Sequence, residues 1–173
     1  MPTLTDIKTP IGWMRFHATS AGVTKLDWQI TPFEAPFELS DTLADIKAAD
    51  VSRETSEEMS AYLAGKLQRF TVPLDLSGQS RSFQKWLQAL RQIPYGAVIS
   101  YADLAEIWGN RLAARPAGQA CRRNPLAIII PCHRVNNADG KAHRYGGGDW
   151  SAPAASANLD RKIWLQKLER QPA

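Results

Sequence analysis

The chain has 173 residues, 44% apolar and 22% charged, which suits one or two small globular domains and excludes a disordered chain. No apolar run approaches the roughly 18 residues of a membrane span, and the opening MPTLTDIKTP lacks the basic-then-apolar order of a secretory signal. The net charge of +4 divides into −4 over residues 1–80 and +8 over 81–173, a polarity that fits a polyanionic partner, with a solvated basic face as the plain alternative.

The acidic half opens with strand signals. Met14, Phe16 and Ala18 alternate with Trp13, Arg15 and His17, the period of a half-buried strand. Turn residues at Thr9-Pro10-Ile11-Gly12 and Ser20-Ala21-Gly22 make Thr3 to Gln29 a small antiparallel meander. Residues 31–52 show no period and read as a connection. Thr55 and Glu58 have capping-box spacing, with Met59, Tyr62, Leu63 and Leu67 on one helical face beyond them. Phe70 to Leu76 reads as a further strand and Ser77-Gly78 as a break.

The basic half changes to a helical period. Phe83, Trp86, Leu87 and Leu90 form a stripe that Pro94 and Gly96 end. Ser100 is placed to cap a helix from Tyr101 to Trp108, with Gly109 to stop it. A second short helix is expected near Arg115, with Pro116 at its first position. Two short helices across a glycine turn, the second basic, form a helix-turn-helix pattern. Asp149 to Leu159 reads as a loop, and Asp160 to Arg170 as a last helix with Ile163, Trp164, Leu165 and Leu168 as its apolar face. The expected architecture is α+β: residues 1–78 form a small antiparallel sheet with a helix, packed on a mainly helical domain over 79–173.

The chemistry concentrates at Ile128-Ile129-Ile130-Pro131-Cys132-His133-Arg134-Val135. An apolar run there delivers a thiol beside an imidazole and a guanidinium, and positive neighbours favour the reactive thiolate. The bland alternative is a buried structural cysteine, since free cysteine is among the most buried residue types. Cys121 and Cys132 make no disulfide framework and suit a reducing compartment, so the cytoplasm, or a bacterial nucleoid, is the expected location. With His133 they match no zinc spacing, so no metal is expected. A Cys/His hydrolase is a rival reading, with His133, His143 or His17 as base. Adjacent Cys and His pair poorly as direct nucleophile and base, and a bridging water suits them better.

This segment resembles the O6-alkylguanine-DNA alkyltransferases. The resemblance runs over essentially the whole chain and is strongest from Phe83 to Glu169. It rests on Ile93-Pro94-Tyr95-Gly96, Ser100-Tyr101, Ala114-Arg115, Arg123-Asn124-Pro125, the Pro-Cys-His-Arg-Val run, Tyr145-Gly146-Gly147-Gly148 and Trp164-Leu165…Glu169. It implies direct-reversal DNA repair: irreversible, single-turnover transfer of the alkyl group from O6-alkylguanine to Cys132, with no external cofactor. His133 and Glu169 take the roles of water-mediated base and orienting carboxylate. Tyr101 protonates the leaving guanine, and Asn124 braces the turn between recognition helix and site. Pro131, Val135, Ala138, Tyr145, Gly146 and Gly147 line the substrate pocket. The implied partner is double-stranded DNA, held from the minor groove with little sequence preference by a monomer able to bind cooperatively. Arg115 fills the stack vacated by the flipped base, Ala114, Ala117 and Gly118 let the helix sit deep, and Arg122 and Arg123 contact phosphates.

Three departures from the family pattern stand out: Pro116 after Arg115, Ala138 where serine is common, and the insertion at 149–159. The acidic half, with His17 and no cysteine, is not expected to hold the structural zinc of some relatives. A non-catalytic binder of alkylated bases is the remaining alternative, against which Cys132 itself argues.

Overall fold

The alternation of Met14, Phe16 and Ala18 becomes the spine of the first sheet in the computed structural model, which describes residues 3–34, 43–146 and 156–171. The chain divides into two compact units, Met1–Gly78 and Gln79–Pro172. In the first, β1 (Thr3–Thr9), β2 (Gly12–Thr19) and β3 (Gly22–Gln29) form an antiparallel sheet in that order. Met14, Phe16 and Ala18 are wholly buried on the face that α1 (Leu43–Leu63) covers. Asp6, paired with Arg15 at 2.6 Å, and Asp27, 2.7 Å from His17, hold charges on other positions of the strands.

Three expectations for this unit need correction. Residues 43–52 are helix rather than connection, because α1 turns small and hydroxylated residues inward. Ala48, Ser52 and Thr55 are buried beside Val51, Met59 and Tyr62, which blurs the hydrophobic period. Thr55 is therefore no cap: its Oγ1 donates to Val51 O one turn back, at 2.6 Å. Glu58 instead accepts from the backbone N–H groups of Thr71 and Val72, at 2.9 and 3.3 Å. The expected strand at Phe70–Leu76 shrinks to one bridge, Val23 to Leu74, since Pro73 has no N–H to give. That segment presses on Gly22, where an added Cβ would stand 2.6 Å from Pro73 O.

The second unit begins with α2 (Arg81–Arg91), capped by Ser80, whose buried face is Phe83, Trp86, Leu87, Ala89 and Leu90. Trp86 stacks on Trp108 with ring centroids 4.6 Å apart, joining α2 to α3 (Tyr101–Trp108). Ser100 and Asp103 close a reciprocal capping box on α3, and Gly109 ends it with φ 118°. A 3-10 turn at Arg111–Ala113 leads into α4 (Ala114–Arg122), completing the helix-turn-helix. Pro116 therefore occupies the third helical position rather than the first. It is tolerated there because the opening N–H groups of a helix have no intrahelical acceptor.

The short parallel pair β4 (Ile99–Ser100) and β5 (Val135–Asn136) ties the start of α3 to the segment after Cys132. The last helix, α5 (Ser156–Glu169), begins four residues before the expected Asp160 and takes up the end of the supposed loop; residues 149–155 lie outside the described residues. Its inward face also differs from expectation. Arg161, Lys162, Leu165, Gln166 and Glu169 are buried, whereas Ile163 is exposed and Trp164 and Leu168 are only partly covered. Among the described residues no helix is long and apolar enough to cross a membrane.

Candidate active site

The turn from Asn124 to Cys132 is fixed by one amide. The Asn124 Oδ1 accepts from Leu126 N at 3.0 Å, while its Nδ2 donates to Ile130 O at 2.7 Å and to Cys132 Sγ at 3.1 Å. Both Nδ2 hydrogens are thus spent, one on the turn and one on the sulfur. Ile128, a β-branched residue, holds φ 76° within this turn. Such a conformation costs about 1–3 kcal/mol and survives only because the surroundings enforce it. Pro131 then ends the apolar run, and Cys132–Arg134 form a single 3-10 turn.

Cys132 is 2% exposed. Burial pushes its thiol pKa up, while the Asn124 hydrogen bond, the Lys162 charge and Tyr145 pull the other way. A thiol so placed needs a base to take its proton. His133 is fully buried, and burial lowers its pKa against the pull of Glu169, so it stays neutral near pH 7. Its Nε2 lies 2.9 Å from Glu169 Oε1. An ionised carboxylate only accepts, so Nε2 carries the hydrogen and Nδ1 is the basic nitrogen.

Glu169 is the hub of the site. Burial opposes its ionisation, but the hydrogen bonds from His133 and Arg134 outweigh that and hold its pKa well below the usual carboxylate range. Arg134 approaches both carboxylate oxygens, at 2.8 and 2.9 Å, and donates to Ile93 O at 2.7 Å. Gly96 N donates to Oε2 at 3.1 Å. Two further inward residues of α5 grip the backbone around Cys132. Gln166 donates to His133 O at 2.7 Å, and Lys162 Nζ donates to Val135 O at 2.5 Å.

Cys132 opens on a cavity of about 620 Å³, whose wall includes Tyr101, Arg115, Gly118, Tyr145, Gly146 and Lys162. Burial, then the neighbouring thiols Cys121 and Cys132, raise the Tyr101 pKa, so its hydroxyl keeps its proton. Arg115, Arg122 and Arg123 are exposed; Arg122 reaches the cavity wall, and Arg123 lies over the Phe83 ring at 5.2 Å. Ala114 is partly exposed at the start of α4.

Some expected members stand elsewhere. Ala117 is completely buried, so it packs α4 inward and offers nothing to a groove. Ala138 is exposed in the turn that Gly140 N closes on Asn137 O, and Asn137 lines the cavity instead. Pro131 and Val135 are buried behind the wall. Gly147 lies outside the described residues. Of the basic residues between 111 and 144, Arg134 is sunk on Glu169, and Arg111 is paired with Glu106 and Asp103. Lys162, Gln166 and Cys121 were not expected at the site. Lys162, Gln166 and Glu169 recur at helical spacing, a polar stripe that is the one sequence signal for them. Among the described residues no cluster of three or more His, Cys, Asp or Glu could hold a metal ion.

A family model described as the DNA binding domain of 6-O-methylguanine DNA methyltransferase matches residues 81–171. The methylated-DNA–protein-cysteine methyltransferase of Mycolicibacterium paratuberculosis is 45% identical over 115 residues, 66% of this chain and 63% of that protein. The match thus spans somewhat under two thirds of that relative's length. The constitutive methylated-DNA–protein-cysteine methyltransferase of Bacillus subtilis is 31% identical over 171 residues, 94% of this chain and 98% of that one. Among solved structures, the O6-methylguanine methyltransferase of Mycobacterium tuberculosis is similar with a TM-score of 0.75 at 33% identity, covering 100% of this chain and 96% of that one. That organism's OGT in complex with DNA is similar with a TM-score of 0.71 at 31% identity, covering 95% of this chain and 91% of that one.

Proposed function

Because the chain belongs to the 6-O-methylguanine DNA methyltransferase family, we propose that it repairs DNA by moving the alkyl group of O6-alkylguanine onto Cys132, once per molecule. The observation that carries this reading is the setting of Cys132. Its buried sulfur accepts a hydrogen bond from Asn124 at 3.1 Å, faces a cavity, and adjoins a His133–Glu169 pair.

The steps follow from these groups. His133 Nδ1 takes the thiol proton through a water, and Glu169 stabilises the imidazolium. The sulfur attacks the carbon on O6, the carbon–oxygen bond breaks, and the guanine departs. Tyr101, protonated in the resting site, gives its hydroxyl hydrogen to the charge developing on the base. The proton gained by His133 balances the one Tyr101 gives. Cys132, which lines the cavity, offers its backbone carbonyl to the base's exocyclic amine. The thioether that remains on Cys132 is inert, so the reaction occurs once.

Reaching O6 requires the base to leave the stack. Arg115, exposed on α4 at the cavity edge, takes its place from the minor groove, with Gly118 behind it. Arg122 and Arg123 hold phosphates, which positions the protein without specifying sequence. The protein acts as a monomer on double-stranded DNA. Excess duplex carrying O6-methylguanine should yield one restored guanine per protein molecule, and none with Cys132→Ser. Repeated turnover would point to hydrolysis, and tight binding without repair to a recognition protein.

A further inference from the structure

The cavity that holds Cys132 has a second thiol in its wall, and the transfer described above does not use it. Cys121 sits near the end of α4, outside any disulfide, and lines the same cavity as Cys132, Tyr101 and Lys162. Burial, and then the neighbouring Cys132, push its pKa well above the ordinary thiol value. Cys121 therefore stays protonated and leaves a simple methyl lesion to Cys132. A stronger electrophile formed inside the cavity is another matter, because a neutral thiol can open it.

Resting on transfer to Cys132, we propose that the two thiols together disarm O6-guanine adducts that carry a second leaving group, such as a 2-haloethyl group, by closing an ethylene bridge between Cys132 and Cys121. In the first step the Cys132 sulfur bonds to the carbon on O6 and the carbon–oxygen bond breaks. The guanine leaves with a proton and the thiol proton passes to His133. The product is a 2-haloethyl thioether, and its sulfur expels halide to form a three-membered episulfonium ring. The Cys121 sulfur then opens that ring at carbon and its proton passes to solvent. Two carbon–sulfur bonds now join the cysteines, one halide and one guanine have left, and no oxidant or reductant is consumed.

The competitors for the episulfonium are water and the DNA bound beside the cavity. A reacting group held in the same pocket acts with an effective concentration that reaches on the order of 10⁵ M when well oriented, far above that of water. The bridge is thus the favoured outcome, and it spares the bound DNA from becoming covalently attached to the protein.

The test uses the full chain with two duplexes, one carrying O6-methylguanine and one carrying freshly prepared O6-(2-chloroethyl)guanine, followed by tryptic peptide mass. With the methyl lesion, Cys121→Ser should still place one methyl group on Cys132. With the chloroethyl lesion, the parent should give peptides 112–122 and 124–134 joined by an ethylene bridge as the main product. Cys121→Ser should instead give a hydroxyethyl thioether on Cys132 and several-fold more covalent protein–DNA adduct. A parent protein that methylates normally, yet ends with hydroxyethyl on Cys132 and a Cys121 thiol still open to iodoacetamide after unfolding, overturns the bridge while leaving transfer intact. Failure of the methyl lesion to label Cys132 overturns transfer, and the bridge with it.

Discussion

Helices α2 and α5 belong to the same unit and each buries one face, but the two faces are opposite in chemistry. α2 turns Phe83, Trp86, Leu87, Ala89 and Leu90 inward, with its polar residues in solvent. α5 buries Asn158, Arg161, Lys162, Gln166 and Glu169 around Leu165. Burying polar groups costs free energy unless each finds a partner. On α5 three of them find it in one short segment, the turn and strand from Cys132 to Asn136. Glu169 takes His133 and Arg134, Gln166 takes His133 O and Asn136 Oδ1, and Lys162 takes Val135 O. α2 stabilises by the area it removes from water, whereas α5 stabilises by holding the reactive turn in one geometry.

Removing a partner from each helix separates the two modes. Glu169→Ala leaves Arg134 and His133 buried without their carboxylate and is expected to cost about 3–5 kcal/mol, together with alkyl transfer. Urea denaturation checks the first, and a loss under about 1 kcal/mol would mean the polar face is not what holds α5. Leu87→Ala, on the apolar face, is expected to cost about 2–4 kcal/mol through the lost methyl groups and the cavity left behind.

Acid should distinguish the pair further. Glu169 has a folded pKa below its unfolded value, so its contribution is full above the ordinary carboxylate range and fades as pH falls through the folded value. His133 is lowered from 6.5, so below that pH the unfolded chain takes the proton first and stability falls with acid. Below the ordinary carboxylate range the gap between parent and Glu169→Ala should therefore narrow, while the Leu87→Ala gap stays constant. Parallel curves for all three proteins would refute the assignment. The same lowered His133 pKa predicts a transfer rate that is still full at pH 6.5 and drops only as the pH falls through the lowered imidazole value.

Asn124→Ala strips the donor from Cys132 Sγ and from Ile130 O, at an expected cost of about 1–3 kcal/mol. Its transfer rate should fall as well, in single-turnover assays. Lys162→Met has the smallest expected effect on stability, since a buried charge exchanged for a well-packed apolar chain is often neutral. Its effect should appear in the chemistry: losing the ammonium raises the Cys132 pKa further, slowing transfer about tenfold and shifting its pH profile upward. A slower rate with an unshifted profile would make Lys162 a purely structural residue.

The same contrast explains what could be read from the sequence. The β1–β3 meander and α2 followed from apolar period, and α3 from its cap and stop residues, because in each the local signal and the packing agree. The first half of α1 was hidden by Ser52 and Thr55 on its inward face. The face of α5 was misread because Ile163, Trp164 and Leu168 carry the hydrophobicity while the charged residues carry the burial. At the site, the motif pointed to Cys132, His133, Asn124 and Glu169. Arg134, read as a cation poised beside the thiol, is instead sunk on Glu169, a pairing of residues far apart in sequence that no local pattern encodes. Ala117 looked like a groove residue only because small side chains serve tight packing and close approach alike.

The most direct test of the central claim is peptide mass after mixing the protein with a duplex holding one O6-methylguanine. Peptide 124–134 is expected to gain one methyl group in place of the Cys132 thiol hydrogen, Cys132→Ala to gain nothing, and the duplex to recover guanine in equal amount. A methyl group on any other residue, or guanine restored with no methyl on the protein, would contradict it.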